Sequence, residues 1–244
     1  SIMSNTKTVM GQASNQYVAP TDITDVFSTY LRSGTGAGTS FSVSNGIDLS
    51  GEGGLVWYKR RTGASIDHVL IDSERGAGYV IESNTTDYSR NRGWFTSFNS
   101  DGFSGDGQGN TNDSGEDYAS WTFRKAPKFF DCLTWTGDGT DARQISHSLN
   151  AAVGSIFVKN TSSSNTEWMV YHRSLSDDLP SHSLSLVLNQ TYQQMSWKAF
   201  GEHSTQTSSV FTLGTSSPNE FFVNQSGQTY VAYVFAHNDG DGGF

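Results

Sequence analysis

The sequence contains a single cysteine, few prolines and little charge. Cys132 is the only cysteine, so intrachain disulfides and cysteine-based zinc sites are excluded. Its place in an extended apolar stretch predicts a buried structural thiol rather than a nucleophile. Four prolines occur among 244 residues, and charged residues reach 16%, against about 25% in an average soluble domain. Aromatic residues make up 13%, which is too many for a disordered chain.

Positive charge and long apolar runs are also scarce. The formal net charge is −9, and such a surface repels phosphate backbones and anionic membranes. The basic cluster at residues 59–61 ends an apolar run, where a solvated strand end explains it better than a phosphate site. No apolar stretch approaches the length of about 18 residues that a membrane-spanning helix needs. We therefore expect neither nucleic-acid binding nor membrane insertion.

Short apolar runs separated by turn residues fill most of the chain. They alternate with clusters of Gly, Asn, Ser and Asp, a spacing typical of a sandwich or barrel. No window shows the i, i+3, i+4 period of a helix. The sequence therefore predicts an all-β fold. The predicted strands are residues 26–31, 40–43, 54–61, 68–72, 79–83, 94–99, 118–124, 128–135, 144–148, 155–159, 167–172, 183–188, 210–213, 221–224 and 230–236.

The sequence also repeats itself in order. Residues 112–123, Asn-Asp-Ser-Gly-Glu-Asp-Tyr-Ala-Ser-Trp-Thr-Phe, are matched by residues 224–235, Asn-Gln-Ser-Gly-Gln-Thr-Tyr-Val-Ala-Tyr-Val-Phe. Both segments place an Asn-x-Ser-Gly turn before a strand. Residues 54–59 are matched in the same way by residues 154–159. Because the matches keep their order, we predict two diverged copies of one β-sandwich module.

The repeat divides the chain into three parts. Residues 1–25 are polar and without a clear period, and we interpret them as an N-terminal arm. Residues 26–127 and 128–244 are predicted to form two tandem, internally repeated β-sandwich modules. Residues 54–58 are apolar on both faces of their strand, which suits a strand buried between two packed modules.

Several segments carry a second likeness, among them Gly-Leu-Val-Trp-Tyr-Lys at residues 54–59 and Tyr-Val-Ala-Tyr-Val-Phe-Ala-His at residues 230–237. The others are residues 72–76, 95–103, 119–130, 145–149 and 171–173. Together they resemble repeat modules of the structural proteins of marine bacteriophages. The resemblance implies concanavalin-like or laminin-G-like sandwiches, of the jelly-roll type, in a tail-fibre or other virion component. It brings no catalytic residues with it.

Concanavalin-like sandwiches include glycoside hydrolases, so a pair of carboxylates offers an alternative function. A retaining enzyme needs two carboxyl groups about 5–5.5 Å apart. Asp72 and Glu74 share a strand face if the strand continues past residue 72. Arg75 and Gly76 follow at once, so a turn with a carboxylate paired to Arg75 is favoured. A glycan-processing enzyme stays the alternative.

Residues 101–115 form a loop rich in oxygen ligands, and calcium accepts such ligands in flexible loops. The EF-hand spacing is missing, and long polar hairpin loops have the same composition. The six histidines show neither a His-x-His nor a His-Glu-x-x-His arrangement, so zinc has no support. We expect no cofactor, with calcium in this loop as the open exception.

The first candidate binding site is an aromatic residue at a loop edge. Trp94 follows Asn91 and Arg92 in a polar loop. An exposed ring of this kind stacks on a sugar while Arg and Asn side chains bind its hydroxyl groups. The alternative, a ring folded over the end of the sandwich, is slightly favoured.

The second half of the chain offers two further candidates. Trp197 also lies at a loop edge, and His172 with Arg173, beside Tyr171, suits a sugar hydroxyl or a carboxylate. His172 and Arg173 serve equally well to cap the end of a strand, and this interpretation is favoured.

These observations predict binding rather than catalysis. We expect a phage virion component, either a tail-fibre or a capsid-surface module, that contacts host-surface carbohydrate. One stacked ring contributes only about 1–3 kcal/mol, judged by bases stacked on aromatic rings, so adhesion needs many copies. The expected partners are other virion proteins and further copies of the chain in a homo-oligomer. The expected location is the virion surface.

Overall fold

Strands account for nearly all of the regular structure, which confirms the all-β prediction. The structure, a computed structural model, describes residues 22–175, 184–214 and 221–237. Of the predicted arm, residues 1–25, residues 1–21 lie outside the described residues. The helical elements of the described part are α1 (Ile23–Val26), a 3-10 turn (His203–Thr205) and α2 (Phe221–Asn224). No helix in these ranges is long and apolar enough to span a membrane.

The first module is a sandwich of two antiparallel sheets. Its strands are β1 (Phe27–Ser33), β2 (Phe41–Ser44), β3 (Gly54–Arg60), β4 (Val69–Asp72), β5 (Tyr79–Glu82), β6 (Arg90–Asn91), β7 (Phe95–Asn99), β8 (Gly102–Gly105) and β9 (Asp117–Arg124). The large sheet has the order β1-β9-β3-β4-β5-β6, and the small sheet has the order β2-β8-β7. Alternate side chains of both sheets, such as Val56, Tyr58 and Phe103, form the core between them.

The second module is built in the same way. Its strands are β10 (Phe130–Thr136), β11 (Gln144–Ser146), β12 (Val153–Asn160), β13 (Met169–His172), β14 (Leu186–Val187), β15 (Val210–Thr212) and β16 (Thr229–Ala236). The large sheet has the order β10-β16-β12-β13-β14, and the small sheet pairs β11 with β15. Trp135, Phe211 and Tyr230 lie in the core between the two sheets.

The large sheets of the two modules have the same strand order and register. Numbered along the chain within each module, the strands lie across the large sheet in the order first, last, third, fourth, fifth. Phe123 of β9 pairs with Phe27 on one side and Leu55 on the other. Phe235 of β16 pairs in the same way with Phe130 and Ser155. The origin of this correspondence by duplication stays a prediction.

The two large sheets pack face to face. A third apolar cluster, here called the seam core, lies between them and comprises Leu55, Leu70, Ile81, Phe130, Cys132, Trp168, Val231 and Tyr233. Strand β3 is buried on both sides, as predicted, because Val56 and Tyr58 face the first module's core and Leu55 faces the seam core. Cys132 is a buried thiol, also as predicted. The molecule thus has four layers, with the two small sheets outermost.

Several short elements differ from the prediction, and among them neither α1 nor β6 (Arg90–Asn91) was predicted. Residues 221–224, predicted as a strand, form helix α2, because the period of so short an apolar run does not separate helix from strand. Strand β8 was not predicted, since glycine at both ends hides its pattern. At Gly102 the φ angle is 151°, and a Cβ atom would lie 1.9 Å from the carbonyl oxygen of Val43. Glycine is therefore what lets β8 approach β2.

Candidate functional site

A groove opens where the first module meets the exposed part of the second module's large sheet. Its volume is about 530 Å³, within the roughly 300–1,000 Å³ of pockets that hold small ligands. The first module contributes Glu74, Arg75, Tyr79 and Ser89. The second module contributes Thr134, Trp135, Thr136, Thr161, Thr229 and Tyr230. We call this the seam groove, because it exists only where the modules are packed together.

A buried ion pair that joins the modules lies at the groove. Asp72 is fully buried, and its carboxylate lies 2.6 Å from the guanidinium group of Arg75, whose side chain is 6% exposed. The hydroxyl group of Tyr233, from the second module, donates to Asp72 Oδ2 (2.8 Å) and accepts from Arg75 Nη2 (3.1 Å). Loss of one partner would leave a buried charge uncompensated. The triad therefore holds the two modules together beside the groove.

Each charged group that lines the groove is paired within the protein. Burial disfavours the charge on Arg75, but Asp72 and Tyr233 outweigh this effect and raise the pKa of Arg75. Burial raises the pKa of Tyr233 well above its usual range, so its phenol stays neutral. At the rim, Glu74 pairs with Lys125 at 2.9 Å. Both charged side chains that line the groove, Glu74 and Arg75, are therefore paired with an opposite charge.

The second module's wall is a sheet surface that carries hydroxyl groups. Thr134 and Thr136 are alternate residues of β10, so they point to the same face, and both are exposed. They continue the row that Phe130 and Cys132 form inside the seam core. The hydroxyl oxygens of Thr161 and Thr229 lie 2.7 Å apart on the neighbouring chain segments. This wall is a polar extension of an otherwise apolar sheet face.

The first module's wall adds a ring and a polarised hydroxyl group. Tyr79 on β5 is 42% exposed. Ser89 Oγ accepts a hydrogen bond from Arg75 Nη1 at 2.8 Å, which leaves the O–H of Ser89 as a donor. The residues that line the groove include no histidine or cysteine. The arrangement is therefore one for hydrogen bonding and stacking.

The predicted site at Trp94 is a packed ring in the structure. Trp94 is partly buried against the first module's core. A Cβ atom on Gly109 would lie 2.0 Å from the indole, so the main chain there touches the ring. The guanidinium carbon of Arg92 lies 5.4 Å from the ring centroid, and Asn91 is exposed on β6. A sugar stacked on Trp94 would have to displace one of these contacts.

The other predicted binding residues lie apart from Trp94. Trp197 packs against the second module's core, and its ring centroid lies 6.3 Å from that of Tyr192. Both large sheets lie between this core and the first module's core, where Trp94 packs. His172 is exposed at the end of β13, where its Nδ1 accepts from the main-chain N–H of Ser174 (3.2 Å). Arg173 is exposed beside it, and its main-chain N–H donates to Gly154 (2.9 Å).

The carboxylate pair of the enzyme alternative is engaged inside the protein. Asp72 belongs to the buried triad, and its Oδ1 accepts the main-chain N–H of Arg75 at 2.9 Å. This is the turn that the sequence favoured. Glu74 is exposed and forms the ion pair with Lys125. The carboxylate of Asp72 is therefore buried among its own partners rather than presented at the surface.

In the candidate calcium loop, residues 101–115, two of the three carboxylates make internal contacts. Asp113 pairs with Arg60 at 2.9 Å, and Asp106 Oδ1 accepts the main-chain N–H of Gln108 at 2.9 Å. In the part of the chain that the structure describes, no group of three or more His, Cys, Asp or Glu side chains could hold a metal ion. The interpretation as a polar hairpin loop accounts for these contacts.

Sequence reasoning did not identify the seam groove. Its two walls come from distant parts of the chain, and no local motif joins Tyr79 or Ser89 to Thr134 and Thr136. One signal was available in β10, where a strand that begins with apolar residues on one face ends with two threonines on that face.

The fold and the groove define a class of protein, an all-β pair of packed sandwiches with a hydroxyl-lined groove between them. A family model described as Domain of unknown function (DUF7483) matches residues 22–244, and the chain belongs to this family. No curated protein and no solved structure matches the chain. The matched region includes both modules, so the family model describes the pair rather than one sandwich.

Proposed function

We propose that the chain is a structural and adhesive component of a phage virion surface, in a tail fibre or on a capsid. The resemblance to repeat modules of marine phage structural proteins supports the virion part of the proposal. The observation that carries it is the seam core, because it joins two sandwiches into one body. A large apolar interface restricts the motion of one module relative to the other, which suits a component that bears load between a particle and a surface.

The contacts across the seam support this mechanical role. Phe123 and Phe235, which occupy equivalent positions in the two modules, contact each other with their ring centroids 5.6 Å apart. The indole N–H of Trp168 donates to the carbonyl oxygen of Glu82 in the first module at 3.0 Å. Domains that meet through small, polar interfaces move relative to each other, whereas a large apolar interface prevents this.

The proposed partners follow from the same role. A virion-surface module contacts other virion proteins and is present in many copies, and a homo-oligomer would multiply weak contacts with a host-surface carbohydrate. The net charge of −9 argues against nucleic acid as a partner.

The enzyme alternative has less support. Its best carboxylate pair is divided between a buried ion pair at Asp72 and a surface ion pair at Glu74. We expect that the purified protein releases no reducing ends from a broad polysaccharide panel. Release that Glu74→Gln abolishes would replace our proposal by a glycan-processing enzyme.

The location of the protein tests the proposal directly. An antibody against the chain, used in electron microscopy of purified particles of the phage that encodes it, should label the tail fibres or the capsid surface. Antibody pre-absorbed with the purified protein is the control and should give no label. Unlabelled particles, with the protein only in the soluble fraction of the lysate, would overturn the proposal.

A further inference from the structure

We infer that the seam groove binds a neutral saccharide, through the ring of Tyr79 and the hydroxyl groups of Thr134, Thr136 and Ser89. The inference rests on the adhesive part of the proposed function, to which it adds a site and a ligand class. The groove is distinct from the predicted sites at Trp94, Trp197 and His172, none of which lines it.

A saccharide needs an apolar surface for its ring and hydrogen-bond partners for its edge, and the groove supplies both on facing walls. Tyr79 is 42% exposed, so part of its ring is free to stack on a sugar face. Thr134 and Thr136 are two residues apart on β10, about 7 Å along the strand. Both hydroxyl groups can donate and accept. They can therefore meet two neighbouring sugar hydroxyls at once.

Arg75 adds a fixed donor beside these hydroxyl groups. A guanidinium group has five N–H groups. Nε donates to Asp72, and Nη2 donates to Leu70 and Tyr233. Nη1 donates to Ser89, and its second N–H has no acceptor among the described residues. Because the side chain is 6% exposed and held by the buried triad, this N–H can meet a ligand oxygen at little cost in side-chain entropy.

The charges of the groove select a neutral ligand. Arg75 is neutralised by Asp72, and Glu74 is neutralised by Lys125. An acidic sugar or a phosphate would find no unpaired cation on the walls, and the net charge of −9 would repel it. A neutral saccharide meets neither obstacle. Nucleotides are disfavoured for the same reason, because their phosphate groups are negatively charged.

The test is a glycan array probed with the full chain, biotinylated and multimerised on streptavidin. The array carries neutral glucans, galactans and mannans beside sialylated, uronic and sulfated glycans. We expect the multimerised chain to bind neutral glycans and the monomer to bind them only weakly. Tyr79→Ala should weaken this binding by about fivefold to a hundredfold, as expected for a stacked ring. Thr136→Val, which removes a hydroxyl group and keeps the shape, should weaken it by about twofold to tenfold.

Two matched variants control for general effects. Tyr192→Ala removes an aromatic side chain of a residue that is 50% exposed outside the groove, and Thr96→Val removes an exposed hydroxyl group from β7. Both should bind as the unmodified protein does, and all four variants should keep its melting temperature within a few degrees.

Four outcomes would overturn the inference: no binding to any neutral glycan, preference for acidic glycans, no effect of Tyr79→Ala and Thr136→Val, or a loss in Tyr192→Ala instead. Particle labelling decides the virion role separately. Labelled particles with no glycan binding would remove this inference alone. Unlabelled particles with groove-dependent binding would remove the virion location alone.

Discussion

Trp94 shows how a tryptophan in a polar loop can serve packing. The four residues before it, Arg-Asn-Arg-Gly at residues 90–93, are polar and allow an exposed ring, although the sequence slightly favours a ring folded over the end of the sandwich. In the structure a main-chain segment at Gly109, fifteen residues further along, lies against the ring. A contact of this kind has no local signature, because it depends on how one loop returns over another.

This packing predicts a difference between two glycine substitutions. Gly109 and Gly115 both have positive φ angles, 63° and 81°, but only Gly109 lies against Trp94, whereas a Cβ at Gly115 meets open space. Gly115→Ala should cost about 1 kcal/mol for the left-handed backbone, and Gly109→Ala about 1–3 kcal/mol more for the clash with the ring. Urea denaturation of both variants measures this difference. Equal costs would mean that the ring of Trp94 moves aside freely and is available to a ligand.

Lys159 is an ionisable group with no part in the groove. It is fully buried, and its Nζ donates to Thr166 Oγ1 (2.6 Å) and to the carbonyl oxygens of Asn160 (3.2 Å) and Thr86 (3.5 Å). Thr86 belongs to the first module, so this bond also crosses the seam. Burial lowers the pKa of Lys159 to about 8.

The lowered pKa predicts the sign of a pH effect. Between pH 8 and about 10.4, the usual lysine value, the unfolded state binds more protons than the native state, so stability rises with pH in this window. From pH 8 to 10 the free energy of unfolding should gain about 2 kcal/mol from Lys159. Urea unfolding at a series of pH values should show this gain in the unmodified protein and in Lys128→Met, an exposed control. Lys159→Met should lack it, and an unchanged gain in that variant would refute the assignment.

At the scale of elements, each module has a buried asparagine that anchors the equivalent loop. Asn112 Nδ2 donates to Thr35 Oγ1 (2.9 Å) and to the carbonyl oxygens of Gly36 (3.1 Å) and Thr39 (2.8 Å). Asn224 Nδ2 donates to Asp138 Oδ1 and to the carbonyl oxygen of Thr140, both at 2.9 Å. In each case the loop after the first strand is tied to the turn before the last strand.

The shared anchor predicts matched costs for two substitutions. Asn112→Ala and Asn224→Ala each remove at least two side-chain hydrogen bonds that a buried amide makes, which costs about 1–3 kcal/mol. Thermal unfolding should show similar losses for both. Asn91→Ala, at an exposed position, should stay within about 0.5 kcal/mol of the unmodified protein. A loss in only one of the two modules would mean that the anchors are not equivalent.

The elements that could be predicted are those whose signal is local. Strands such as β3 and β16 were found because each is a long apolar run bounded by turn residues, and the double burial of β3 followed from its apolar residues on both faces. Helix α2 and strand β8 were missed because four residues carry too little period, and glycine adds none. The strand order of the sheets depends on contacts between distant segments, and the internal repeat predicted only that the two modules would share one order.

At the scale of the whole molecule, the groove could not be predicted from the sequence because it forms only where the two modules pack together. Ser89 and Thr136 come together only after each module has folded and the two large sheets have packed. The strand pattern predicted that the modules would meet at β3, but it contained no information on which polar side chains would surround the contact.

The seam core should make the two modules one cooperative unit. Hydrogen exchange during urea unfolding, read on peptides from β3 and from β12, measures this directly. We predict one common midpoint for both peptides. Arg75→Met should lower it in both equally, by a loss of about 3–5 kcal/mol, since it leaves Asp72 buried and unpaired. Two separate midpoints, with Arg75→Met moving only the first module's, would contradict the account.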